Sequence, residues 1–363
     1  MTRQQLYVYE GQTYQNFIKY VPNAVTRKNY LSRLKKYIDY CQVESIDELL
    51  YNGDIKLIQE RITDFLIHIQ TEGYSSATVS HCLTAVKMYY SYNDITSLNW
   101  VKMSKVLRPY RREANDRPYR TDEIAKILEK CDQRSRIIIL LCCSAGVRQG
   151  AIHTMKLQDL EKIGDVYKID VYKNESEEYY TFCSPECAKA IDDYLTYRQR
   201  CGESLKPSAP LIREQFNKDN PEAAARPRFL VAGSIVEIVY QAVCDSGIRE
   251  KKNVIRNQKR HLHEVMQSHG LRKFFNTQVT VIGKMPQLYS EMLMGHKDGL
   301  AMRSYVKPTM SQMLEEYLNV VDCLTINEEN RLKRKVTELT IKADKVDELA
   351  ASFEEVKRKL GIS

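Results

Sequence analysis

Six residues in the second half of the chain combine types and spacings that could act together in chemistry. They are, in order, Arg148, Lys173, His269, Arg272, His296 and Tyr305. The lysine follows the first arginine by 25 residues, and the second arginine closes the sequence HGLR. A Gly-His pair comes next, and the tyrosine lies nine residues beyond its histidine. Each piece alone is common in proteins, but coincidence is a poor explanation for the ordered set.

Two arginines, a lysine and a tyrosine suit the cleavage of a phosphodiester without a metal. The phosphate is negative and repels nucleophiles, so fixed cations must surround its oxygens as charge builds up there. Arg148 and Arg272 suit this role because guanidinium groups bind phosphate oxygens through paired hydrogen bonds and stay protonated. A tyrosine hydroxyl, with an ordinary pKa of about 10, is a poor nucleophile. Tyr305 would therefore depend on its neighbours.

The ordered set resembles the tyrosine recombinase (phage integrase) family, and the phrases RKFFNT (272–277) and GHKDGL (295–300) resemble its archaeal branch. The resemblance covers roughly residues 120–310 by motif, whereas residues 25–106 resemble the helical core-binding domain of the family by pattern only. It implies a site-specific recombinase that integrates or excises a mobile element, or resolves multimers of chromosomes or plasmids.

The resemblance also implies a role for each of the remaining residues. Tyr305 would attack the scissile phosphate, form a 3′-phosphotyrosyl link and release a 5′-hydroxyl. Lys173, in a hairpin turn, would protonate the departing oxygen. His269 would act as general acid and base, and His296 would bond a non-bridging oxygen.

Two points of the site stay open at this level. Many family members carry an acidic residue three positions after the first arginine, where this chain has Ala151. Asp159 or another group could substitute for that acid, or the site could be organised differently. Lys168 is the alternative to Lys173, because hairpin turns are hard to place from sequence.

Three further pairs of residues are weaker candidates for chemistry. They are Tyr289 and Tyr317, His261 and His263, and Cys183 and Cys187. The tyrosines lie on apolar helical stripes, so we predict that they pack in the core. The histidines lack HExxH spacing and are predicted to lie on the surface or face DNA. The cysteines lack a second pair at a suitable distance, which indicates structural thiols. We predict no metal and no cofactor.

Basic residues are concentrated in two stretches, although the net charge of +8 is modest. Residues 108–120 and 248–263 have the composition of segments that neutralise phosphates along a nucleic acid, and a solvated surface is the alternative. The residues predicted to contact DNA are Arg108, Arg111, Arg112, Arg117, Arg120, Lys251, Lys252 and Arg256.

Composition predicts a soluble protein of the cytoplasm. Hydrophobic residues make up 43% and charged residues 28% of the chain. The apolar run IIILLCC (137–143) is shorter than the roughly 20 residues that cross a bilayer, and the N-terminus lacks a secretion signal. Ten irregularly spaced cysteines indicate free thiols in a reducing compartment.

Hydrophobic periodicity predicts a mainly α fold with a small β-hairpin or sheet in the catalytic domain. We expect a helical core-binding domain with its linker over 1–114, the catalytic domain over 115–325 and a long C-terminal helix over 326–363. In the first domain we predict helices after Thr26 as N-cap, at about 55–71, and at about 76–92 after a serine cap. In the second, a helix opens at Thr121 and a hairpin occupies DVYKIDVYKNESEEYYTFC.

The tail repeats apolar residues at intervals of seven, which is typical of a coiled coil. These residues are Leu332, Leu339, Val346, Phe353 and Leu360. Self-association is one interpretation, and a helix folding back on its own domain is the other. The expected partners are double-stranded DNA and further copies of the chain in a tetrameric synapse, with no membrane. A type IB topoisomerase-like nicking and closing enzyme and a non-enzymatic DNA-binding dimer are the alternatives.

Overall fold

The computed structural model describes residues 11–108, 116–250, 264–296 and 305–333. It also describes residues 336, 337, 339, 340, 343, 346 and 352. The chain divides into two compact units, Met1–Glu113 and Ala114–Ser363, each with its own hydrophobic core. None of the helices in the described ranges combines the length and apolar character that crossing a membrane requires.

The first unit is a small helical bundle. Its helices are α1 (Gln12–Lys19), α2 (Ala24–Cys41), α3 (Ile55–Thr71), α4 (Ser76–Ser91) and α5 (Trp100–Ser104), with a 3₁₀ helix at Ile46–Gly53. The predicted second and third helices of the domain are confirmed as α3 and α4. Tyr89 and Tyr90 of α4 are fully buried and donate to the carbonyls of Ile46 and Leu49, so the tyrosine cluster serves packing.

The helix caps confirm one prediction and correct another. Ser75 caps α4 by accepting the N–H of Thr78. The prediction of Thr26 as N-cap of α2 is wrong, because the side chain of Asn23 accepts the N–H groups of both Val25 and Thr26. Asparagine at this position satisfies two free donors of the first turn, so the helix begins three residues earlier than predicted.

The second unit packs helices around a small sheet. Its helices are α6 (Thr121–Glu129), α7 (Gln133–Ser144), α8 (Gln149–Ile152), α9 (Pro185–Arg200), α10 (Pro221–Ala225), α11 (Ala232–Asp245), α12 (Gln267–Thr277), α13 (Gln287–Leu293) and α14 (Met310–Leu324). The apolar run 137–143 lies in α7 and is fully buried, which explains why this helix is hydrophobic on all sides. Helices α9 and α12 pack against it.

The sheet has three antiparallel strands in the order β1 (Leu160–Ile163), β2 (Val166–Val171) and β3 (Tyr179–Phe182). Ile169 of β2 pairs with Thr181 of β3, so the predicted hairpin is confirmed. The sequence did not predict β1, whose two central residues are exposed and whose outer two are half-buried. A strand this short carries too few alternating residues to be recognised by pattern.

A buried ionic cluster holds the segment 206–229, which is mostly irregular and contains α10. Arg198 and Arg213 both donate to the carboxylate of Glu203, and all three side chains are at most 2% exposed. Arg198 also donates to the carbonyls of Pro210 and Leu211. The segment is thus fixed by side-chain to backbone bonds, which periodicity does not reveal.

The last described helices differ in burial. Tyr317 of α14 is fully buried and donates to the carbonyl of Ser144, as predicted for a core tyrosine. Residues 328–333 are helical, and so are the separate described positions that follow. Apolar side chains of this tail are more than half exposed at Leu332, Val336, Leu339 and Val346. Phe353 and Leu360 lie outside the described residues.

Candidate active site

A tight turn after α7 presents the first arginine. Gly146 has a φ of +63°, and a Cβ there would lie 2.7 Å from the ring of Phe275. Glycine is therefore needed both for the backbone conformation and for the close contact with α12. Arg148 follows with extended backbone and occupies the N-cap position of α8. Among the described residues, its guanidinium has no ion-pair partner.

Arg272 lies on α12 and is 5% exposed. Its guanidinium donates to the carbonyl of Gly146, in the turn that carries Arg148, and to the carbonyl of Met294 at 3.3 Å. It also bonds Nε2 of His296 at 3.0 Å. Burial, with the nearby charge of Arg148, lowers the pKa of Arg272. The two arginines of the sequence motif are thus brought to one place.

His296 is positioned by the end of α13. Gly295 has a φ of +64°, its N–H bonds the carbonyl of Met292, and the N–H of His296 bonds the carbonyl of Glu291. These two bonds form a Schellman motif, in which the residue just beyond the glycine faces the third residue from the helix end. The facing pair here is His296 and Glu291, and Nδ1 of the imidazole bonds the carboxylate.

His269 lies in the first turn of α12, one turn before Arg272. Partial loss of water around its imidazole, together with the charges of Lys273 and Arg272, lowers the pKa of His269 from its ordinary value. Lys273 is in turn held by Asp116. The ring is therefore neutral near neutral pH, the state in which an imidazole can accept a proton.

Two tyrosines that no sequence motif marks lie beside the arginines. The hydroxyl of Tyr179 is buried and has no hydrogen-bond partner within the described ranges. Burial raises its pKa, and the charges of Arg272 and Arg148 oppose that effect. The ring packs against the backbone of Gly295, where a Cβ would lie 2.4 Å from it. Tyr172, at a φ of +55°, is also within reach of both arginine charges.

Lys173 lies in the turn between β2 and β3, as the sequence predicts, whereas Lys168 lies within β2. Lys173 bonds one carboxylate oxygen of Asp170 at 3.2 Å, and Lys168 bonds the other at 2.6 Å. Lys168 also forms an ion pair with Glu161, so it has one more carboxylate partner than Lys173. Lys173 and Tyr172 line an open cleft of about 370 Å³.

Two further sequence hypotheses concern Tyr305 and the missing acid. Tyr305 is 90% exposed, so the described contacts do not join it to the arginines and histidines. Asp159 does not contact Arg148. Its carboxylate instead accepts the backbone N–H of Lys156 at 2.8 Å, a bond within the turn that contains both residues. Ala151 is buried. The carboxylate that does lie in this cluster is Glu291, from a different helix.

The predicted DNA-contacting residues divide into several groups. The backbone N–H of Arg108 bonds the side chain of Gln70. Arg117 forms paired hydrogen bonds with Glu123 at 2.7 Å and bonds Glu264 at 2.8 Å. Arg120 is exposed and forms ion pairs within the first turn of α6. The other five lie outside the described residues: Arg111, Arg112, Lys251, Lys252 and Arg256.

The weaker candidates remain outside this cluster. Cys183 and Cys187 are buried free thiols, and burial raises the pKa of Cys187 well above its ordinary value. Within the described parts of the chain, His, Cys, Asp and Glu side chains form no group of three or more that could hold a metal ion. Tyr289 is half-buried and packs against the core. His261 and His263 lie outside the described residues.

Comparison with solved structures identifies the fold. The chain superposes on a lambda integrase tetramer bound to a Holliday junction with a TM-score of 0.53 and 15% identity, over 83% of this chain and 76% of that one. It is also similar to XerH site-specific recombinase bound to its palindromic difH substrate in a post-cleavage complex, with a TM-score of 0.52 and 16% identity over 77% of this chain and 76% of that one. A lambda integrase fragment bound to DNA gives a TM-score of 0.52 and 15% identity over 83% and 95% of the two chains. The fold is therefore the one that these lambda integrase and XerH structures share, and the prediction of a mainly α fold with a small sheet is confirmed. No protein-family model and no curated protein matches the sequence.

Proposed function

We propose that this protein is a site-specific DNA recombinase of the tyrosine type, which integrates or excises a mobile element. The observation that carries the proposal is the placement of Arg272, which contacts both the turn that presents Arg148 and the ring of His296. We infer that the two arginines and the imidazole surround one place where a phosphate can bind. The recombinase fold supports the same conclusion.

In the proposed reaction the oxygen of Tyr305 forms a bond to phosphorus, and the bond from phosphorus to the 5′ oxygen breaks. His269, neutral because its pKa is lowered, accepts the tyrosine proton. Lys173 gives a proton to the 5′ oxygen as it leaves. Arg148 and Arg272 bind the non-bridging oxygens. The energy of the phosphodiester is kept in the phosphotyrosyl link, so rejoining needs no nucleotide.

We propose double-stranded DNA and further copies of the chain as partners. Lambda integrase is a tetramer on its Holliday junction, and the exposed apolar side chains of the tail supply a surface for self-association here. The basic residues assigned to DNA are Arg108, Arg111, Arg112, Arg120, Lys251, Lys252 and Arg256. We propose that Arg117 instead stabilises the start of the catalytic domain, because its guanidinium is paired with the carboxylates of Glu123 and Glu264.

Two finer statements belong to the same proposal. The cytoplasm is the proposed location, and it is supported by ten cysteines that are all free. Membership of the archaeal branch is supported by the phrases RKFFNT and GHKDGL. The proposed domain limits, 1–114, 115–325 and 326–363, agree with the two compact units in setting the boundary near residue 114.

The test is covalent capture of DNA. The protein is incubated without metal with a mixed library of nicked duplexes, and any DNA that stays bound on a denaturing gel is sequenced. We expect an adduct that forms with the wild type and with Tyr289→Phe but not with Tyr305→Phe. Tight DNA binding without any adduct would overturn the proposal in favour of a non-enzymatic DNA-binding protein. Relaxation of supercoiled DNA without strand exchange would favour a topoisomerase.

A further inference from the structure

The contact between His296 and Arg272 determines where the proton of the imidazole lies. A guanidinium has only donors, so Nε2 of His296, at 3.0 Å from Arg272, must accept. The ring proton is therefore on Nδ1, where it bonds the carboxylate of Glu291. Without DNA, His296 is thus a neutral ring whose Nε2 presents a lone pair.

A phosphate oxygen requires the opposite arrangement. Phosphate oxygens accept hydrogen bonds, so an imidazole that binds one must carry a proton on the nitrogen that faces it. Nδ1 faces Glu291, which leaves Nε2. When a DNA phosphate takes the hydrogen bond of Arg272, Nε2 loses its donor and must gain a proton from solvent before it can bond the phosphate.

We propose that Glu291 is the positioning residue that makes this protonation favourable. Its carboxylate holds the ring in place and balances the positive charge of the imidazolium, as an acid does for a histidine base in other active sites. The inference rests on the proposed function, because it concerns the same phosphate.

Of the other groups around the ring, the cationic Arg272 acts against protonation, whereas His269 and Tyr179 are neutral. Arg272 and His269 both lie on α12. Tyr179 of β3 lies beneath Gly295 and is neutral because burial raises its pKa. Glu291 is the acidic side chain in contact with the ring. Its removal should therefore change the pH at which the ring becomes charged, and not only the geometry of the site.

The kinetic test compares rates of adduct formation, in a single turnover, for the wild type and Glu291→Gln between about pH 5 and 8, the interval in which histidine titrates. We expect the wild type to be about tenfold faster at the alkaline end, since an opposite charge in contact favours the charged form by about this factor or more. The ratio should fall towards one at the acidic end, where both rings are protonated. Glu315→Gln, which removes an exposed carboxylate of α14, serves as the matched control.

A second measurement does not depend on cleavage. Nitrogen chemical shifts of ¹⁵N-histidine-labelled protein without DNA should place the His296 proton on Nδ1 in the wild type. Glu291→Gln keeps an acceptor oxygen and should retain this tautomer. Glu291→Ala leaves the donor of Arg272 on Nε2, so it should also retain the tautomer but lose the hydrogen bond of Nδ1–H, which shifts the Nδ1 resonance. A rate ratio that is constant with pH, or a proton on Nε2 in the wild type, would overturn the inference. Failure of the wild type to form any adduct would count against the proposed function, and the nitrogen shifts would still test the Glu291 contact.

Discussion

The ammonium group of Lys173 lies 3.2 Å from a carboxylate oxygen of Asp170. The proposed proton donor therefore forms an ion pair with a carboxylate near the end of β2. Burial alone would raise the pKa of Asp170, but hydrogen bonds from Lys168 and Lys173 outweigh it and lower the pKa. The carboxylate is thus ionised at neutral pH and is shared by two lysines. The distances to Asp170 do not decide which lysine gives its proton to the leaving 5′ oxygen. The two lysines differ in position, because Lys173 lies in the turn and Lys168 lies within β2.

Replacement of the two lysines should separate their roles. Lys173→Ala should slow cleavage by about 10²–10⁴-fold, the usual contribution of a general acid, whereas Lys168→Ala should have a smaller effect. A substrate with sulfur in place of the bridging 5′ oxygen should restore the rate of Lys173→Ala, because a thiolate leaves without a proton. Rescue of Lys168→Ala instead, or of neither variant, would contradict the assignment.

Gly295→Ala should damage the site more than backbone strain alone predicts. Gly295 and Gly164 have similar φ angles, +64° and +56°, but a Cβ at Gly164 would meet open space. We expect Gly164→Ala to cost about 1 kcal/mol, the price of a left-handed L-residue. Gly295→Ala adds a clash with Tyr179 and displaces His296. Urea unfolding and adduct formation, measured on both variants, make the comparison.

One outcome of comparing Gly295→Ala with Gly164→Ala would contradict this prediction. If both alanine variants lose the same stability and both retain cleavage, then the packing of Tyr179 against Gly295 does not position His296. Tyr179→Leu, which keeps an apolar side chain beneath the turn, would then be expected to cleave normally as well.

The ion pair of Arg117 and Glu123 should make stability depend on pH. Hydrogen bonds from Arg117 lower the pKa of Glu123 below its ordinary 4.5. The stabilisation is therefore complete above that value and is lost as the pH falls through the lower folded-state pKa. Glu123→Gln should cost about 2 kcal/mol at neutral pH, and the difference from wild type should shrink in acid. Glu129→Gln, on the exposed face of α6, is the control, and a pH-independent difference for Glu123→Gln would refute the linkage.

Much of the helical scaffold can be predicted from the sequence, because a helix that buries one face repeats apolar residues at a regular interval. The stripes of α3 and α4 and the run 137–143 are predictable, since each helix must bury an apolar face. The placement of Arg148 at a turn follows from Gly146, and that of Lys173 from the alternation of β2 and β3. Contacts between particular polar side chains produce no repeating pattern of apolar residues in the sequence. The bonds of Arg198, Arg213 and Glu203 are therefore invisible in the sequence.

Glu291 is an instructive omission. The family pattern places an acid near Arg148, which makes Asp159 the candidate from sequence. The signal that could have found Glu291 is local, since a Gly-His pair after a helix indicates a Schellman motif, and that motif brings His296 against the residue five positions before it. The cap of α2 was misplaced for a similar reason, because Asn23 was not considered ahead of Thr26.

The internal bonds of Arg272 mean that its guanidinium is partly satisfied when no DNA is present. A buried guanidinium without partners would be costly, but two carbonyls and one imidazole accept from three of its five N–H donors. In the proposed reaction, a phosphate that takes one of these three donors must compete with a ligand that the protein supplies, which reduces the net gain in affinity at that point. Selection among DNA sites would then depend on surfaces far from the reacting phosphorus, and the reduced affinity would help the active site to release its DNA once the strands are rejoined.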